Sequence, residues 1–517
     1  MNALALRVMA LNEVRLRLRR RSTLVALLAV MALCWLGIPD PADGITMMMI
    51  DGKRVLYTSQ ALAFGSAHIA GMLLGLAGFY LVRGRVADDL QSGMGAVIGA
   101  TGASNALLAC GRWLGGVACL MLFVLAYLVS TLALHVLRGE GPIQLLAYLQ
   151  TYVLMLLPIA SYTAACAVLF DNIGPLVGKR GDVLFFFLWC LQFGALVGVT
   201  ESPGALWPML FDFSGLSVAV TTLREHFETT SFVLGRNGFD PAGATLVIPG
   251  SLWTLKAWAI RAATLLLSLL LLVPATLFFH RYSPDRVRPR SERGNRLLAL
   301  ADRALRPVAL AVRPLPGLAM RVPGFAGEVL AEVALVLSMS PLAALTLAAG
   351  TVAASVAAAD ALPGVMIAGV ACWGVTVCGI VPRDWQNGAD AMTGALPGGV
   401  MRRYLRQWTA GLVLALPLAI VALRWAGDAP VRAAAALAGV LALASAASLL
   451  GGLTRGARLF LALFLFTWYI ALNSPKEAAL DLVGFNGSAT AGTVAAWAAA
   501  GCLAWATGFI CSRMQRT

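Results

Sequence analysis

Apolar segments alternate with short polar ones along the whole chain, and most of them are long enough to cross a membrane. A transmembrane helix needs about 20 mainly apolar residues. Twelve such segments are present, at 22–38, 61–82, 107–135, 145–170, 183–200, 254–279, 341–358, 363–381, 409–425, 431–453, 457–472 and 490–511. The pattern therefore predicts an all-α, polytopic membrane protein with about twelve transmembrane helices.

A basic amphipathic stretch, residues 4–20, precedes the first apolar segment. Arginine alternates with leucine there, which is typical of a helix that lies in the interface of a membrane. The apolar run that follows is too long for a cleaved secretory signal, and eleven further apolar segments come after it. We expect residues 4–20 to form a helix on the cytoplasmic membrane surface.

The composition excludes a soluble enzyme and a disordered chain. Hydrophobic residues make up 59% of the sequence and charged residues 12%, whereas soluble domains have about 45–50% and about 25%. The nine cysteines form no C-x-x-C pair, and free cysteines in apolar runs behave as small hydrophobic residues. The sequence predicts neither a disulfide framework nor a metal centre.

Charge predicts the orientation of the chain. Lysine and arginine total 39 against 25 acidic residues, and cytoplasmic loops of membrane proteins carry the Lys/Arg excess. Placing both termini in the cytoplasm puts most of the basic residues there. We therefore predict a multi-pass protein of the inner (plasma) membrane with both termini cytoplasmic.

Residues 281–323 are rich in arginine and proline and separate two groups of six apolar segments. This predicts a first six-span half at 1–280, a cytoplasmic linker at 281–323 and a second six-span half at 324–517. The arginine run has no interleaved aromatic residues of the kind that stack on bases, so no nucleic-acid partner is expected.

Three features recur in the same order in both halves, which indicates an internal duplication. An amphipathic start precedes the first span, a polar Gly-rich loop follows the second, and a Ser-Pro pair followed by Asp-x-x-Gly comes after the fifth. Tryptophans Trp113 and Trp408 follow the polar loops at matching distances. The amphipathic starts contain Glu13 and Glu328. The polar loops contain Arg85, Asp88, Asp89 and Gln91 in the first half and Arg383, Asp384 and Gln386 in the second. The Ser-Pro and Asp-x-x-Gly segments contain Ser202, Pro203, Asp212 and Gly215 in the first half and Ser474, Pro475, Asp481 and Gly484 in the second.

This arrangement resembles the permease of an ABC-2-type ABC transporter, duplicated within one chain. The resemblance implies two tandem ABC-2-like halves, each with an amphipathic connecting helix, here residues 4–20 and about 324–338, carrying Glu13, Arg17, Glu328 and Glu332. It implies coupling loops at 84–106 and 382–404 that dock on an ATPase. It places the two Ser-Pro…Asp-x-x-Gly segments in external loops that partly re-enter the membrane.

The resemblance also implies what the chain does. No G-x-x-x-x-G-K-[ST] motif is present, so energy is expected from a separate ABC ATPase subunit in two copies, with ATP and magnesium bound there. The chain itself would have no catalytic residue and no bound cofactor or metal. Apolar span walls, with aromatic residues such as Phe79 and Phe185, suggest an amphiphilic, peptide-like or lipid-like cargo among the membrane lipids, moved outward.

Two other classes of function stay open from the residues. An ion-gradient-driven secondary transporter would use ionisable groups inside spans, for which His68, His135 and Asp360 are the candidates. A polytopic membrane transferase would need clustered acid–base groups, for which Glu225, His226 and Glu228 are the candidates.

Overall fold

The computed structural model describes residues 2–195, 198, 205–228, 231–250, 253–279, 282 and 305–514. The chain forms two compact units, Met1–Ser291 and Glu292–Thr517. Each unit is mainly helical, and each is described below by itself.

Unit 1 combines long apolar helices with short connecting helices. Its helices are α1 Asn2–Leu18, α2 Arg21–Gly37, α3 Ser59–Val82, α4 Arg85–Gln91, α5 Met94–Gly99, α6 Asn105–Arg138, α7 Leu145–Asn172, α8 Lys179–Leu191, α9 Leu206–Phe211, α10 Leu216–Phe227, α11 Leu255–Leu269 and α12 Leu272–Leu277. Hydroxyl side chains begin three of the long ones, because Thr58, Ser104 and Thr254 accept a backbone N–H of the first turn.

Unit 2 repeats the alternation of short and long helices. Its helices are α13 at 305–312, α14 Leu315–Arg321, α15 Gly324–Met339, α16 Pro341–Val356, α17 Leu362–Val377, α18 Arg383–Gln386, α19 Asp390–Gly394, α20 Gly399–Val413, α21 Leu416–Trp425, α22 Pro430–Thr454, α23 Arg458–Asn473 and α24 Ala491–Met514. The end of the predicted linker, from residue 305, is therefore helical. Residues 283–304 of that linker lie outside the described residues.

The predicted multi-pass, helical membrane protein is confirmed in its general form. Within the described part of the chain, seven helices are long and apolar enough to cross a membrane, and ten spans result if each of three bent helix pairs counts as one. Two predicted spans fall on shorter helices: 183–200 on the 13-residue α8 and 457–472 on the 16-residue α23. The count of twelve therefore stays a prediction.

Two of the bent pairs lie where the sequence predicts an amphipathic helix followed by a span. The bend is 77° between α1 and α2 and 110° between α15 and α16. In the second pair the bend has a local cause, because Pro341 disfavours a helical conformation at Ser340. The Ser340 side chain then accepts the N–H of Ala343 and begins α16.

A small β-sheet in unit 1 is not predicted by the sequence analysis. Strands β1 Ile45–Ile50 and β2 Lys53–Val55 form a hairpin, and β3 Phe232–Gly238 and β4 Thr245–Leu246 complete the order β3-β1-β2-β4. The all-α expectation is thus incomplete. Because β1 pairs with β3, the segment between α2 and α3 and the segment between α10 and α11 lie at the same end of unit 1, called here the sheet end.

Tyr57 bonds the sheet to the segment of chain that leaves α2 and leads to α3. Its hydroxyl donates to the Pro39 carbonyl at 3.2 Å and accepts the Met47 N–H at 2.9 Å. Burial raises the pKa of the Tyr57 phenol, so the group acts as a neutral donor and acceptor.

Candidate functional site

The amphipathic helix α1 turns two charged residues into unit 1. Glu13 and Arg17 are both buried and pair at 2.6 Å. The Arg17 guanidinium also donates to the carbonyls of Leu81 at 2.7 Å and Val82 at 2.5 Å. These carbonyls belong to the last turn of α3, where no intrahelical partner is available. Arg17 therefore fastens α1 to the end of the second apolar helix.

Arg85, the first residue of α4, joins α1 to the short helix. Its guanidinium contacts Glu13 at 3.1 Å and Asp89 at 3.0 Å. Asp89 is only 2% exposed, and it also accepts from Arg112 of α6 and from the Tyr282 hydroxyl, each at 2.8 Å. Charge-assisted bonds of this kind are stronger and more directional than neutral ones, so the Asp89 carboxylate holds α4 against Arg112 of α6 and against Tyr282.

Asp171, near the end of α7, accepts the first backbone N–H groups of the polar loop. One of its oxygens accepts from Gly84 at 2.8 Å and from Arg85 at 2.9 Å, so Asp171 caps α4 from another helix. Neighbouring Arg83 is 1% exposed and pairs with Asp182 of α8. We call Glu13, Arg17, Arg83, Arg85, Asp89, Arg112, Asp171 and Asp182 the first ion network.

Unit 2 contains a corresponding arrangement, the second ion network, which consists of Glu332, Arg383, Asp384, Arg406 and Gln407. Buried Glu332 of α15 pairs with Arg383 of α18 and, at 2.9 Å, with Arg406 of α20. Buried Asp384 accepts from Gln407 at 3.2 Å, as Asp89 accepts from Arg112.

The tryptophans that follow the polar loops support the match between the two networks. Trp113 donates to the Ser161 carbonyl of α7 at 3.2 Å, and Trp408 donates to the Ser445 hydroxyl of α22 at 3.2 Å. Each tryptophan directly follows the residue that bonds the buried aspartate, Arg112 or Gln407. In each unit, the residue just before the tryptophan thus bonds the buried aspartate of the polar loop.

Glu13 is the buried glutamate that pairs with arginines in unit 1, and in unit 2 this position is taken by Glu332, not by Glu328. Glu328 pairs with Arg402 at the surface at 2.7 Å, where both side chains are about a third exposed. The sequence match of Glu13 with Glu328 is therefore shifted by one helical turn.

The residues predicted to dock on a partner divide into two groups. Arg85, Asp89, Arg383 and Asp384 are engaged in internal bonds, as described above. Asp88 is half-buried and pairs with Arg20 at 2.5 Å. Only Gln91 and Gln386 are exposed.

Large apolar side chains lie exposed on the same loops. Met94 and Val97 of α5 are 50% and 60% exposed, and Met392 and Leu396, on and just after α19, are 76% and 50% exposed. Sequence reasoning missed these residues, although their position among glycines in otherwise polar loops is a usable signal. We call Met94 with Val97, and Met392 with Leu396, the two apolar loop patches.

A second cluster in unit 1 surrounds Asp212, between α9 and α10. Its carboxylate accepts the backbone N–H groups of Ser214, Gly215 and Ser217 at 2.6–3.1 Å. Arg261 of α11, 1% exposed, donates to the carbonyls of Asp212 at 2.5 Å and Phe213 at 2.7 Å. The first anchored loop, residues 212–217, is therefore fixed through both its N–H and its carbonyl groups.

Unit 2 builds its second anchored loop, residues 481–489, on the same principle. The Asp481 carboxylate accepts the N–H groups of Asn486, Ser488 and Ala489 at 3.0–3.2 Å. Arg432 of α22 donates to the carbonyls of Gly484 and, at 2.6 Å, Phe485. The prediction that Asp212, Gly215, Asp481 and Gly484 form comparable loops agrees with this geometry, while their membrane re-entry stays a prediction.

The two Ser-Pro pairs differ in what the structure describes. Ser202 and Pro203 lie outside the described residues. Ser474 and Pro475 follow α23 directly, where the Ser474 carbonyl accepts the N–H of Glu477 at 3.2 Å. This turn reverses the chain towards the second anchored loop.

The histidine candidates for a secondary transporter differ in their contacts: the His68 Nδ1 is buried without a hydrogen-bond partner in the part of the chain that the structure describes, whereas His135 is fully engaged. His135 uses both ring nitrogens, with the Tyr148 hydroxyl at 2.6 Å and the Gly141 carbonyl at 3.1 Å. Phe79 and Phe185 stack on each other at 3.6 Å, so they pack the bundle rather than line an open path. Among the described residues, no group of three His, Cys, Asp or Glu side chains could hold a metal ion.

Comparisons with known proteins do not add to this geometry, because no family model, no curated protein and no solved structure matches the chain. The features of the chain that bear on its function are therefore the two ion networks, the apolar loop patches and the anchored loops.

Removing one carboxylate from either ion network will destabilise its unit strongly. We expect Glu13→Gln and Glu332→Gln each to lower the free energy of unfolding by about 3–5 kcal/mol, because each leaves buried arginines without their carboxylate. The matched control, Glu328→Gln, breaks a surface pair and will cost at most about 1 kcal/mol. Unfolding of the purified chain, followed by tryptophan fluorescence, measures the three variants; equal losses would contradict the assigned burial.

The two anchored loops require glycine at the third position after the aspartate. Gly215 has φ +81° and Gly484 has φ +72°; an added Cβ would lie 3.1 Å from the Arg261 guanidinium carbon and 2.7 Å from the Arg432 carbonyl oxygen. We expect Gly215→Ala and Gly484→Ala each to cost about 2 kcal/mol or more from left-handed strain and displacement of the arginine. Amide hydrogen exchange in the two loops is the measurement.

Gly102→Ala is the control for this pair, since a Cβ there meets nothing within 4 Å and the backbone is not left-handed. We expect its exchange pattern to match that of the parent chain. Unchanged loop protection in Gly215→Ala and Gly484→Ala would show that the arginine anchors do not hold these loops.

Proposed function

We propose that this chain is the membrane-spanning permease subunit of an ATP-driven exporter similar to the ABC-2 type, and that one chain supplies both permease halves. The observation that supports this most directly is the repeated layout at one end of each unit. In both units, an amphipathic helix is followed after a sharp bend by an apolar one, and a buried ion network bonds the amphipathic helix to short helices of the polar loop. Short helices bonded in this way are suited to transmit force without deforming.

The two apolar loop patches are the proposed ATPase contacts. The ion networks hold the short helices α4 and α18, and the patches lie on or just after the helices that follow them, α5 and α19. Exposed apolar side chains next to a firmly held helix favour burial in another protein. One patch in each half corresponds to one ATPase copy, so two copies of a separate ATPase subunit would bind, and ATP and magnesium would be held there.

The remaining parts of the proposal follow from this assignment. The chain would carry twelve spans in two six-span halves, with α8 and α23 as the short fifth and eleventh spans. Both termini and both loop patches would face the cytoplasm of the inner membrane. The cargo would be amphiphilic, peptide-like or lipid-like, since the apolar helices offer few polar side chains to a hydrophilic solute. The chain would act as a transport subunit without a catalytic site of its own.

Charge placed in the apolar loop patches should release the ATPase. Two double variants put carboxylates in the proposed contacts: Met94→Glu with Val97→Glu, and Met392→Glu with Leu396→Glu. Each double variant should reduce the amount of bound ATPase about tenfold or more, because desolvating an unpaired charge costs well over 1.4 kcal/mol. Substituting Asp89 would be less informative, because Asp89 is buried in the first ion network.

The measurement is ATP hydrolysis by the complex purified on the tagged chain from its native membrane, together with its subunit stoichiometry. The matched control is Val233→Glu, at a 43% exposed valine of β3, which should retain full hydrolysis. Hydrolysis that survives in both patch variants would refute the docking assignment. Cargo movement by the chain alone, driven by a proton gradient, would refute the proposed function and favour a secondary transporter.

A further inference from the structure

Helix α7 is bonded to two different loops of unit 1 at two widely separated points along its length. Near its last residue, Asp171 accepts the N–H groups of Gly84 and Arg85, which begin the polar loop. Seventeen residues earlier, the Leu154 carbonyl accepts from Arg261, which also holds the first anchored loop. At 1.5 Å rise per residue these two contacts are roughly 25 Å apart along the helix axis.

The Arg261 contact depends on a proline. Pro158 lies inside α7 and has no N–H group, so the Leu154 carbonyl, four residues earlier, has lost its helical donor. The Arg261 Nε donates to this carbonyl at 2.8 Å. The guanidinium thus replaces the missing helical bond, and its other two nitrogens hold the Asp212 and Phe213 carbonyls.

A second contact joins α7 to the same loop. The ring of Tyr162, one turn beyond Pro158, stacks on the ring of Phe213 with centroids 4.0 Å apart. The first anchored loop therefore touches α7 through a shared guanidinium and through a ring face, on the two sides of the proline break. A shift or rotation of α7 along its axis cannot leave this loop unchanged.

Helix α22 has the same two connections in unit 2, made with different residues. At its last turn, Gly451 lies against Pro382, and the Arg455 guanidinium lies 4.0 Å from the Trp385 ring of α18. Near its first turn, Arg432 holds the Gly484 and Phe485 carbonyls, and at Gly439 the helix backbone closely approaches the Leu482 carbonyl. Helix α7 in unit 1 and helix α22 in unit 2 thus each contact both the polar loop and the anchored loop.

We infer that α7 and α22 are the transmission elements of the two halves, each of which couples the position of its polar loop to the position of its anchored loop. Asp171 and Arg261, and Arg455 and Arg432, are the positioning residues of this coupling. The inference depends on the proposed function only for the force that acts on the loops, since coupling between the two ends exists with or without an ATPase.

Helices joined by polar bonds transmit a displacement better than helices joined by apolar contacts alone. Apolar side chains at a helix interface exchange neighbours at little cost, whereas charge-assisted bonds to backbone groups have a defined length and direction. An unfilled proline break would also act as a hinge that absorbs motion. Because Arg261 fills the break in α7, a displacement at Asp171 reaches the anchored loop instead of being lost at Pro158.

The test is amide hydrogen exchange of the full chain in lipid nanodiscs, with no partner present. We expect Asp171→Asn, which weakens the caps on Gly84 and Arg85, to raise exchange of the Ser214, Gly215 and Ser217 amides at the far end at least threefold. By reciprocity of coupling, Arg261→Lys should raise exchange of the Gly84 and Arg85 amides. The matched control is Asp88→Asn, which breaks a pair on the same short helix without touching α7 and should leave 214–217 unchanged.

A faster exchange confined to 83–91 in Asp171→Asn would overturn the inference for unit 1. If Asp171→Asn instead unfolds unit 1, exchange will also rise in the hydrogen-bonded strands β1 and β3. In that case the milder variant Arg455→Ala tests the coupling in unit 2. That variant removes only a ring contact, and we expect about a twofold or larger rise at the Asn486, Ser488 and Ala489 amides, against none in Arg402→Ala. No rise in Arg455→Ala would overturn the inference.

The outcome is separable from that of the proposed function. If no ATPase is recovered and the far-end exchange still rises, the coupling stands and the proposed driver is wrong. If an ATPase binds and hydrolyses ATP while the far-end exchange does not respond to these variants, the proposed function stands and α7 and α22 are not its transmission elements.

Discussion

The architecture of each unit depends on how its buried arginines are satisfied. A guanidinium stays charged in a protein and has five N–H donors, so burying one without partners costs far more than a single apolar contact returns. Arg17 finds the last carbonyls of α3, Arg83 finds Asp182, and Arg261 finds three carbonyls of α7 and the first anchored loop. Each of these choices specifies which helix end packs against which loop, in a bundle whose apolar surfaces would otherwise permit many arrangements.

The sequence predicts the multi-pass, helical character well, because membrane crossing is a property of one segment at a time. The length and hydropathy of an apolar run can be read from the run itself, and the long helices of the structure lie close to the positions of these runs in the sequence. The β-sheet was missed because β1, with its three methionines, resembles one more apolar run, although Asp51-Gly52 between β1 and β2 is a strong hairpin signal. The structure confirms that signal with positive φ angles at both residues.

Contacts between residues that are far apart in the sequence could not be predicted in the same way. Arg85 and Asp89 look like surface charges because a sequence does not show Glu13 or Arg112 beside them. A proline at position 158 indicates a lost helical bond, yet nothing local indicates that residue 261 supplies the replacement. The shift from Glu328 to Glu332 has the same cause, since both glutamates fit an amphipathic helix and only the packing of α15 selects the one that turns inward.

The two anchored loops share one bonding scheme and differ in the helix that supplies the arginine. Both use an aspartate for the N–H groups, a left-handed glycine at the third position and an arginine for two successive carbonyls. The arginine comes from α11 in unit 1 and from α22 in unit 2, so the same bonds are reached from different helices. A geometry that recurs with its donor on a different helix is defined by the loop itself. Each unit thus has a polar loop and an anchored loop fixed by buried polar bonds, and one long helix contacts both.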